Sequence, residues 1–140
     1  MKRNFAIALL ALSTLAGAGK ALAQSNAVQA TVPFEFTAGN VQLPAGEYEV
    51  EAMGPWGGST LSVHNVNSNA GSVVLSNSCQ SKKPAADAKL VFYRYGHQYF
   101  LAQVWNRNSV AGSQIQINPR QTELAKNQSK DQVVLIASEK

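Results

Sequence analysis

The chain has 140 residues, of which 45% are hydrophobic and 14% are charged, and its formal net charge is +4. This composition is typical of a single folded domain and excludes a disordered or low-complexity protein. The positive charge does not indicate a nucleic-acid partner, because three of the twelve basic residues lie in the first 20 positions and the remaining nine are balanced by eight acids.

The first 23 residues have the features of a secretory signal peptide. Lys2 and Arg3 precede a mostly apolar run, and Ala21-Leu22-Ala23 is a small-x-small cleavage pattern, with a second such pattern five residues earlier. The apolar run is too short to cross a bilayer as a helix, and no later run approaches the necessary length of about 18 residues. The sequence therefore predicts export to the periplasm or the extracellular space, with a signal peptide at residues 1–23, a single domain at residues 24–140 and no integral membrane segment after cleavage.

Cys79 is the only cysteine, so an internal disulfide cannot form even in an oxidising compartment. It lies in a polar segment and lacks the positioned histidine partner of a nucleophilic thiol. The predicted domain must therefore be stabilised by a hydrophobic core. An exposed Cys79 would be able to join two chains, and an incidental thiol is the alternative interpretation.

After the leader, the hydrophobic pattern has a period of two, which indicates β-strands. Alternating apolar residues from Val28 to Phe36 predict a first strand, and Pro33 within it indicates a sheet edge, because proline cannot donate to a strand ladder. Residues 47–52 alternate most regularly, and their three glutamates share the face that points to water. Turn signals rich in glycine, proline and asparagine recur at a spacing of about 8 to 12 residues, which is typical of an all-β sandwich or barrel.

The C-terminal part of the chain combines a helix with two further strands. Residues 115–117 mark a short strand, and Asn118 begins a capping pattern that predicts a helix from Pro119 to Asn127. Residues 132–138 predict a last strand that is apolar on both faces and is therefore expected inside the sheet. The predicted fold class is all-β, an antiparallel meander of seven or eight strands forming a small barrel or barrel-like sandwich, with one short C-terminal helix.

Residues 89–105 read KLVFYRYGHQYFLAQVW, two apolar runs on either side of a turn. Gly96-His97 fits a two-residue hairpin turn with glycine at the position that requires positive φ. The expected register pairs Tyr95 with Gln98, Tyr93 with Phe100, Val91 with Ala102 and Lys89 with Val104. Each face of this hairpin then carries at least two aromatic residues, so one face belongs to the core and the other is either covered by the rest of the chain or exposed.

An exposed second face of the hairpin would be a binding surface, because contiguous apolar area is rarely left in water without a use. Its aromatic rings would suit a sugar, a peptide or a flat apolar ligand, with Arg94 as a hydrogen-bonding group beside them. The glycine-rich segment 54–58 would contribute from a neighbouring loop. The tentative ligand-binding residues are Tyr93, Arg94, Tyr95, Tyr99, Trp105 and Trp56.

Three motifs of the chain are distinctive: VPFEF at residues 32–36, LPAGEYEV at residues 43–50 and RYGHQYFL at residues 94–101. Together they resemble the pattern of a family of small, exported bacterial all-β proteins of unknown function. The resemblance implies a signal peptide followed by an all-β domain, and it implies no activity, ligand or catalytic residue. His97 departs from the pattern, since Asp or Asn would be expected in this turn.

Catalytic and metal-binding motifs are missing from the sequence. Neither His64 nor His97 belongs to a nucleophile motif such as G-x-S-x-G, and neither forms an H-x-H or H-x-x-x-H pair. A ladder of Glu47, Glu49 and Glu51 would hold a divalent ion only weakly, and a solvated strand face is the more ordinary interpretation. We therefore expect no catalytic residue, no metal site and no cofactor.

The predicted function is that of an exported, non-enzymatic binding or interaction module of the cell envelope or extracellular space, with an unknown ligand or protein as its partner. Two alternatives remain: a small β-barrel carrier of an apolar ligand, and a structural subunit that assembles by strand edges, with Cys79 as a second means of oligomerisation. An interior cavity of about 300 Å³ or more lined by Phe and Val would favour the carrier. A filled interior with Tyr99 or Trp105 outside would favour the binding module.

Charge is distributed unevenly along the chain. Residues 24–81 contain no Lys or Arg, whereas residues 82–140 hold all nine cations that follow the leader. If the two halves pair in one sheet, this asymmetry neutralises itself within the molecule. The other interpretation is that the asymmetry docks a charged partner.

Overall fold

The computed structural model describes residues 27–53 and 59–139 of the chain. The predicted signal peptide and Trp56 lie outside the described residues. Within the described part, the chain forms eleven strands and one helix. In chain order these are β1 (Val28–Val32), β2 (Phe36–Ala38), β3 (Val41–Leu43), β4 (Gly46–Met53), β5 (Thr60–Asn65), β6 (Gly71–Gln80), β7 (Lys89–Tyr95), β8 (Gln98–Trp105), β9 (Ala111–Ile115), α1 (Pro119–Asn127), β10 (Asp131–Ile136) and β11 (Ser138–Glu139).

All eleven strands belong to one sheet. Hydrogen-bonded neighbours follow the order β10-β7-β8-β9-β6-β5-β4-β1-β11, and β2 joins β8 and β3 to the side of this path. The sheet is mixed, because β2 meets β8 in parallel through Thr37 and Phe100. It is also not closed: its two ends are β10 and β11, which only Ala137 separates in the chain.

The all-β class with one short helix is confirmed, whereas the count of seven or eight strands and the purely antiparallel meander are wrong. The expected first strand from Val28 to Phe36 is interrupted at Pro33 and becomes β1 and β2. Strands as short as β3 and β11 carry too few residues for a hydrophobic period to be visible. The path from β6 to β9 also skips two strands in sequence, which a meander does not do.

One hydrophobic core receives alternate residues from every strand between β1 and β9. Its centre is aromatic: the ring centroid of Phe36 lies 5.0 Å from that of Tyr48 and 5.3 Å from that of Phe92, and both contacts are edge-to-face. Burying each such side chain contributes about 2–3 kcal/mol. This core stabilises the described domain without a disulfide, as expected for a chain with a single cysteine.

The tip of the β7–β8 hairpin has the predicted turn and register. Gly96 has a φ of 62°, and Tyr95 faces Gln98 across the turn. The main chain there therefore requires glycine, because other residues rarely adopt positive φ. Tyr93 also faces Phe100, as predicted.

Beyond Phe92 the predicted register of the hairpin is wrong. The pairing changes from Phe92 with Leu101 to Val91 with Gln103, which leaves Ala102 as the extra residue of a β-bulge. A bulge of this kind shifts every later side chain of its strand to the opposite face. As a result, Lys89 lies opposite Trp105 and not opposite Val104.

Each face of the hairpin contributes to a buried cluster. Leu90, Phe92, Leu101 and Val104 belong to the main core. On the other side, Val91 and Trp105 form a smaller cluster with Ala85, from the segment between β6 and β7. This segment is tied to the turn before β9: the Ala85 N–H donates to the Ser109 carbonyl at 3.0 Å, and the Asn108 N–H donates to the Ala85 carbonyl at 2.8 Å.

The helix has the predicted bounds, and its cap also holds it against the sheet. The Gln121 N–H donates to Asn118 Oδ1 at 2.7 Å, and Asn118 Nδ2 donates to the Gly39 carbonyl in the β2–β3 turn. The last long strand differs from expectation, because β10 lies at one end of the path and not inside it. Its residues alternate between half-buried and exposed from Val133 to Ile136.

Candidate functional site

The structure separates the residues that the sequence analysis grouped as a binding surface. Tyr95 and Trp105 are buried, and Tyr93, Arg94 and Tyr99 are half-buried. Trp56 lies outside the described residues. The hairpin therefore does not present its rings together on one open face.

Arg94 and Tyr99 interact with their own chain at one end of the core. Arg94 Nη2 lies 2.7 Å from Asp131 Oδ2, and the Tyr99 ring stacks on Phe34 with a centroid separation of 3.9 Å. Phe34 in turn meets Phe92 edge-to-face at 5.1 Å. The pKa of Arg94 is raised mainly by its hydrogen bond with Asp131 and to a smaller extent by its hydrogen bond with Tyr99. The expected hydrogen-bonding group of a ligand site is thus engaged within the chain.

The outer side of the hairpin is covered in a similar way. The Trp105 Nε1–H donates to Gln103 Oε1 at 3.0 Å, and Lys89 Nζ lies 5.8 Å from the Trp105 ring centroid. Lys130 Nζ lies 4.1 Å from the Tyr93 centroid, a cation–π distance. Cys79 packs half-buried against the same cluster, and burial raises the pKa of its thiol.

A cleft of about 740 Å³ opens at the other end of the core. Its floor is apolar and consists of core residues, whereas its wall is mainly hydroxyl and amide groups. The floor residues are Val50, Leu61 and Val104. The polar wall residues are Ser59, Ser76, Asn77, Ser78, Asn106, Ser109 and Ser113.

The cleft arises because the inward faces of three strands change from large to small side chains toward the same end. On β6 the inward row runs from Val74 to Ser76 and Ser78, and β9 pairs with β6 through this stretch. The rows of β9 and β4 taper in the same direction, to Ala111 and Ala52. Small side chains leave the space between the strands unfilled, so the core ends in a cavity.

Two charged residues, Arg107 and Glu139, lie at the rim of this cleft and are connected by a backbone hydrogen bond. The Arg107 backbone N–H donates to Glu139 Oε1, which ties β11 to the turn after β8. Serine hydroxyls and asparagine amides both donate and accept hydrogen bonds, so the wall matches neutral polar groups of either kind. The Ser109 hydroxyl is already engaged within the chain, since it donates to the Ala111 carbonyl and accepts from the Ala111 N–H. The sequence analysis missed this site, although the Val-x-Ser-x-Ser alternation of β6 is its visible signal.

The cleft has no arrangement for nucleophilic or metal chemistry among the described residues that line it. Its lining contains no His, Cys or Asp, and His64 and His97 are exposed on other elements. Within residues 27–53 and 59–139, no three His, Cys, Asp or Glu side chains come close enough to hold a metal ion. The cleft combines hydroxyl and amide groups in its wall with an apolar floor.

No family model matches the chain, and no curated protein or solved structure is significantly similar to it. The resemblance to small exported bacterial proteins therefore stays a prediction. In the described part of the chain, no helix is long and apolar enough to span a bilayer.

Proposed function

We propose that the protein is an exported, non-enzymatic binding module of the cell envelope or extracellular space, and that its ligand occupies the cleft at the end of the core. The observation that carries this proposal is the combination of a cleft of about 740 Å³, an apolar floor and a wall of hydroxyl and amide groups. Ligand sites typically have volumes of about 300–1,000 Å³ and a few placed polar groups. Export is supported by the signal-peptide pattern of residues 1–23.

The lining favours a small, neutral, amphipathic ligand. Val50, Leu61 and Val104 would contact an apolar part, and the serine and asparagine groups would bind hydroxyls or carbonyls. A wholly apolar ligand fits less well, because it would strip water from the polar wall without replacing the hydrogen bonds. A strongly charged ligand also fits less well, because the two charged residues of the lining, Arg107 and Glu139, are opposite in sign and give the cleft no net charge.

The proposed site differs from the sites expected from the sequence for both functions. The binding module moves from the aromatic hairpin, where Tyr95 and Trp105 are buried, to the opposite end of the core. The carrier of an apolar ligand was expected to have a Phe- and Val-lined lumen, whereas the wall here is rich in serine. A short-chain glycoside, with a polyol head and an alkyl tail, has the chemistry that this wall and floor would bind.

The proposal is tested by titrating n-octyl β-D-glucoside, below its micellar concentration, into the ¹⁵N-labelled protein and following amide chemical shifts. At about −0.3 kcal/mol for each of roughly 20 non-hydrogen atoms, a dissociation constant of tens of micromolar is expected. The shifts should saturate and should cluster at Leu61, Ser76, Ser78 and Ser113. Methyl β-D-glucoside, which lacks the tail, should bind at least about tenfold more weakly.

A blocking variant identifies the cleft as the site. Ala111→Phe places a ring in the cleft from its rim and should weaken octyl glucoside binding at least about tenfold. Ala125→Phe, on the exposed surface of α1, is the matched control and should leave binding unchanged. Unsaturable shifts, or saturable shifts that survive Ala111→Phe, would contradict the proposal.

A further inference from the structure

Two strands of the sheet carry large apolar side chains on the face that points to water. On β6, Val73 and Leu75 are 63% and 55% exposed, and on β10, Val134 and Ile136 are 44% and 64% exposed. A sheet with one dry face normally places polar residues on its wet face. These apolar pairs are therefore candidates for burial against another molecule.

The two pairs have the same spacing. Val73 and Leu75 flank the core residue Val74, and Val134 and Ile136 flank Leu135, which packs against the core. Residues two apart on a strand lie on one face at a separation of about 7 Å. One pair can therefore lie against the other with both side chains in contact.

A carboxylate stands beside the pair on β6. Val73 is in register with Ser62 on β5, and Ser62 is in register with Glu51 on β4, so Glu51 lies about 10 Å from Val73 across the sheet. The three glutamates of β4 do not share a solvated face as the sequence predicted: Glu49 is buried and Glu47 accepts from Gln29, whereas Glu51 is exposed. We call Val73, Leu75 and Glu51 the acidic surface.

Ammonium groups stand beside the pair on β10. Ile136 is paired directly with Lys89 on β7, and Lys130 lies over the ring of Tyr93 on the same outer face. Lysine has a long flexible stem that places its charge away from its own strand. We call Val134, Ile136, Lys89 and Lys130 the basic surface.

The two ion pairs found among the described residues both lie in the C-terminal, basic half of the chain. Arg94 pairs with Asp131 and Lys126 pairs with Glu123, so both ion pairs join residues of the second half of the chain. Neither brings a cation to residues 24–81, which contain no Lys or Arg. Within the described residues, these two ion pairs therefore do not join the acidic half of the chain to the basic half.

We propose that a second copy of this chain docks through these two surfaces, with the acidic surface of one copy on the basic surface of the next. The contact matches apolar pair with apolar pair and carboxylate with ammonium. It joins two different surfaces, so it leaves a free surface at each end and repeats into rings or filaments. The contact uses exposed residues of β4 and β6, whereas the cleft is lined by Val50, Ala52 and Ser76, which alternate with them along the same strands.

The area involved places this association at the weak end of protein interfaces. A contact built on two pairs of side chains and their neighbours buries at most about 1,200 Å², which corresponds to a transient interface. Exposed charge pairs are screened by salt, so association should be stronger at low ionic strength. Sedimentation velocity of the full chain over a wide concentration range, at about 20 mM and about 500 mM NaCl, measures both effects.

Charge reversal gives the decisive test. Glu51→Lys and Lys89→Glu should each weaken self-association about threefold to tenfold, because each puts like charges into the contact. An equal mixture of the two variants should recover association, since the lysine at position 51 of one meets the glutamate at position 89 of the other. Lys130→Glu repeats the test without disturbing the contact between Lys89 and Trp105.

Matched controls change the same charges elsewhere. Glu123→Lys and Lys126→Glu lie on the exposed helix and should leave association unchanged. For the apolar part, Leu75→Ser and Ile136→Ser should weaken association, whereas Val110→Ser, at an exposed site outside both surfaces, should not. A wild-type protein that stays monomeric at low salt, or an oligomer that ignores the charge reversals or is not recovered by mixing, would overturn the proposal.

Discussion

Gly112 lies beneath the ring of Trp105, and replacing it tests whether the outer cluster of the hairpin is close-packed. A Cβ atom at Gly112 would lie 2.7 Å from two atoms of the Trp105 ring. Carbon atoms in contact are normally about 3.5–4.0 Å apart, so the overlap is close to 1 Å. The buried ring cannot easily move away, because its Nε1–H is bonded to Gln103. Among the glycines of residues 27–53 and 59–139, those with positive φ are Gly39 and Gly96, so the expected cost at Gly112 is steric and not conformational.

Gly112→Ala should therefore destabilise the protein by about 2 kcal/mol, within the range of about 1–3 kcal/mol for overpacking. This corresponds to a decrease in Tm of roughly 5–10 °C for a domain of this size. Urea unfolding followed by circular dichroism measures the change without relying on tryptophan fluorescence.

A second background separates the steric cost from other effects of the substitution. In Trp105→Leu, where the ring is gone, Gly112→Ala should be neutral or should stabilise by about 0.5 kcal/mol, because alanine restricts the unfolded chain. The destabilisation by Gly112→Ala is thus expected only when the Trp105 ring is present. An equal cost in both backgrounds, or no cost in the wild type, would refute close packing of Trp105 on β9.

Two further predictions follow from local interactions. Asn118→Ala removes the acceptor of the Gln121 N–H and the donor to the Gly39 carbonyl, and it should lower the free energy of unfolding by about 1 kcal/mol, whereas Asn127→Ala at the exposed helix end should change it little. Cys79 has a pKa raised above its ordinary value of 9.0 by burial, so its thiol should react with a disulfide reagent more slowly in the folded protein than in urea. Because the folded pKa is the higher one, the stability contributed by the neutral thiol is present below pH 9 and is lost as the pH rises through the folded value. A thiol that reacts equally fast in both states would contradict this burial.

Features specified by adjacent residues could be predicted from the sequence. The helix begins at Pro119 because Asn118 supplies the cap, and both residues are next to each other in the chain. The hairpin turn is likewise local, because only Gly96 in that segment tolerates the necessary φ. Period-two alternation also identified most strands, since it depends on side chains two residues apart.

Features specified by distant residues could not be predicted. The bulge at Ala102 changes which residues of β8 share a face, and no residue of the hairpin sequence marks its position. The cleft depends on β4, β6 and β9 tapering toward the same end, which requires the strand order. Strand order is set by long-range pairs such as Val28 with Glu139, and sequence periodicity carries no information about them.

A single residue, Ala137, links the two end strands of the sheet. Because β10 completes one end of the sheet and β11 the other, the last nine residues of the described chain supply both marginal ladders at once. Loss of this short segment would expose the backbone of β7 and of β1 together, so both margins of the sheet would gain an unpaired edge at once.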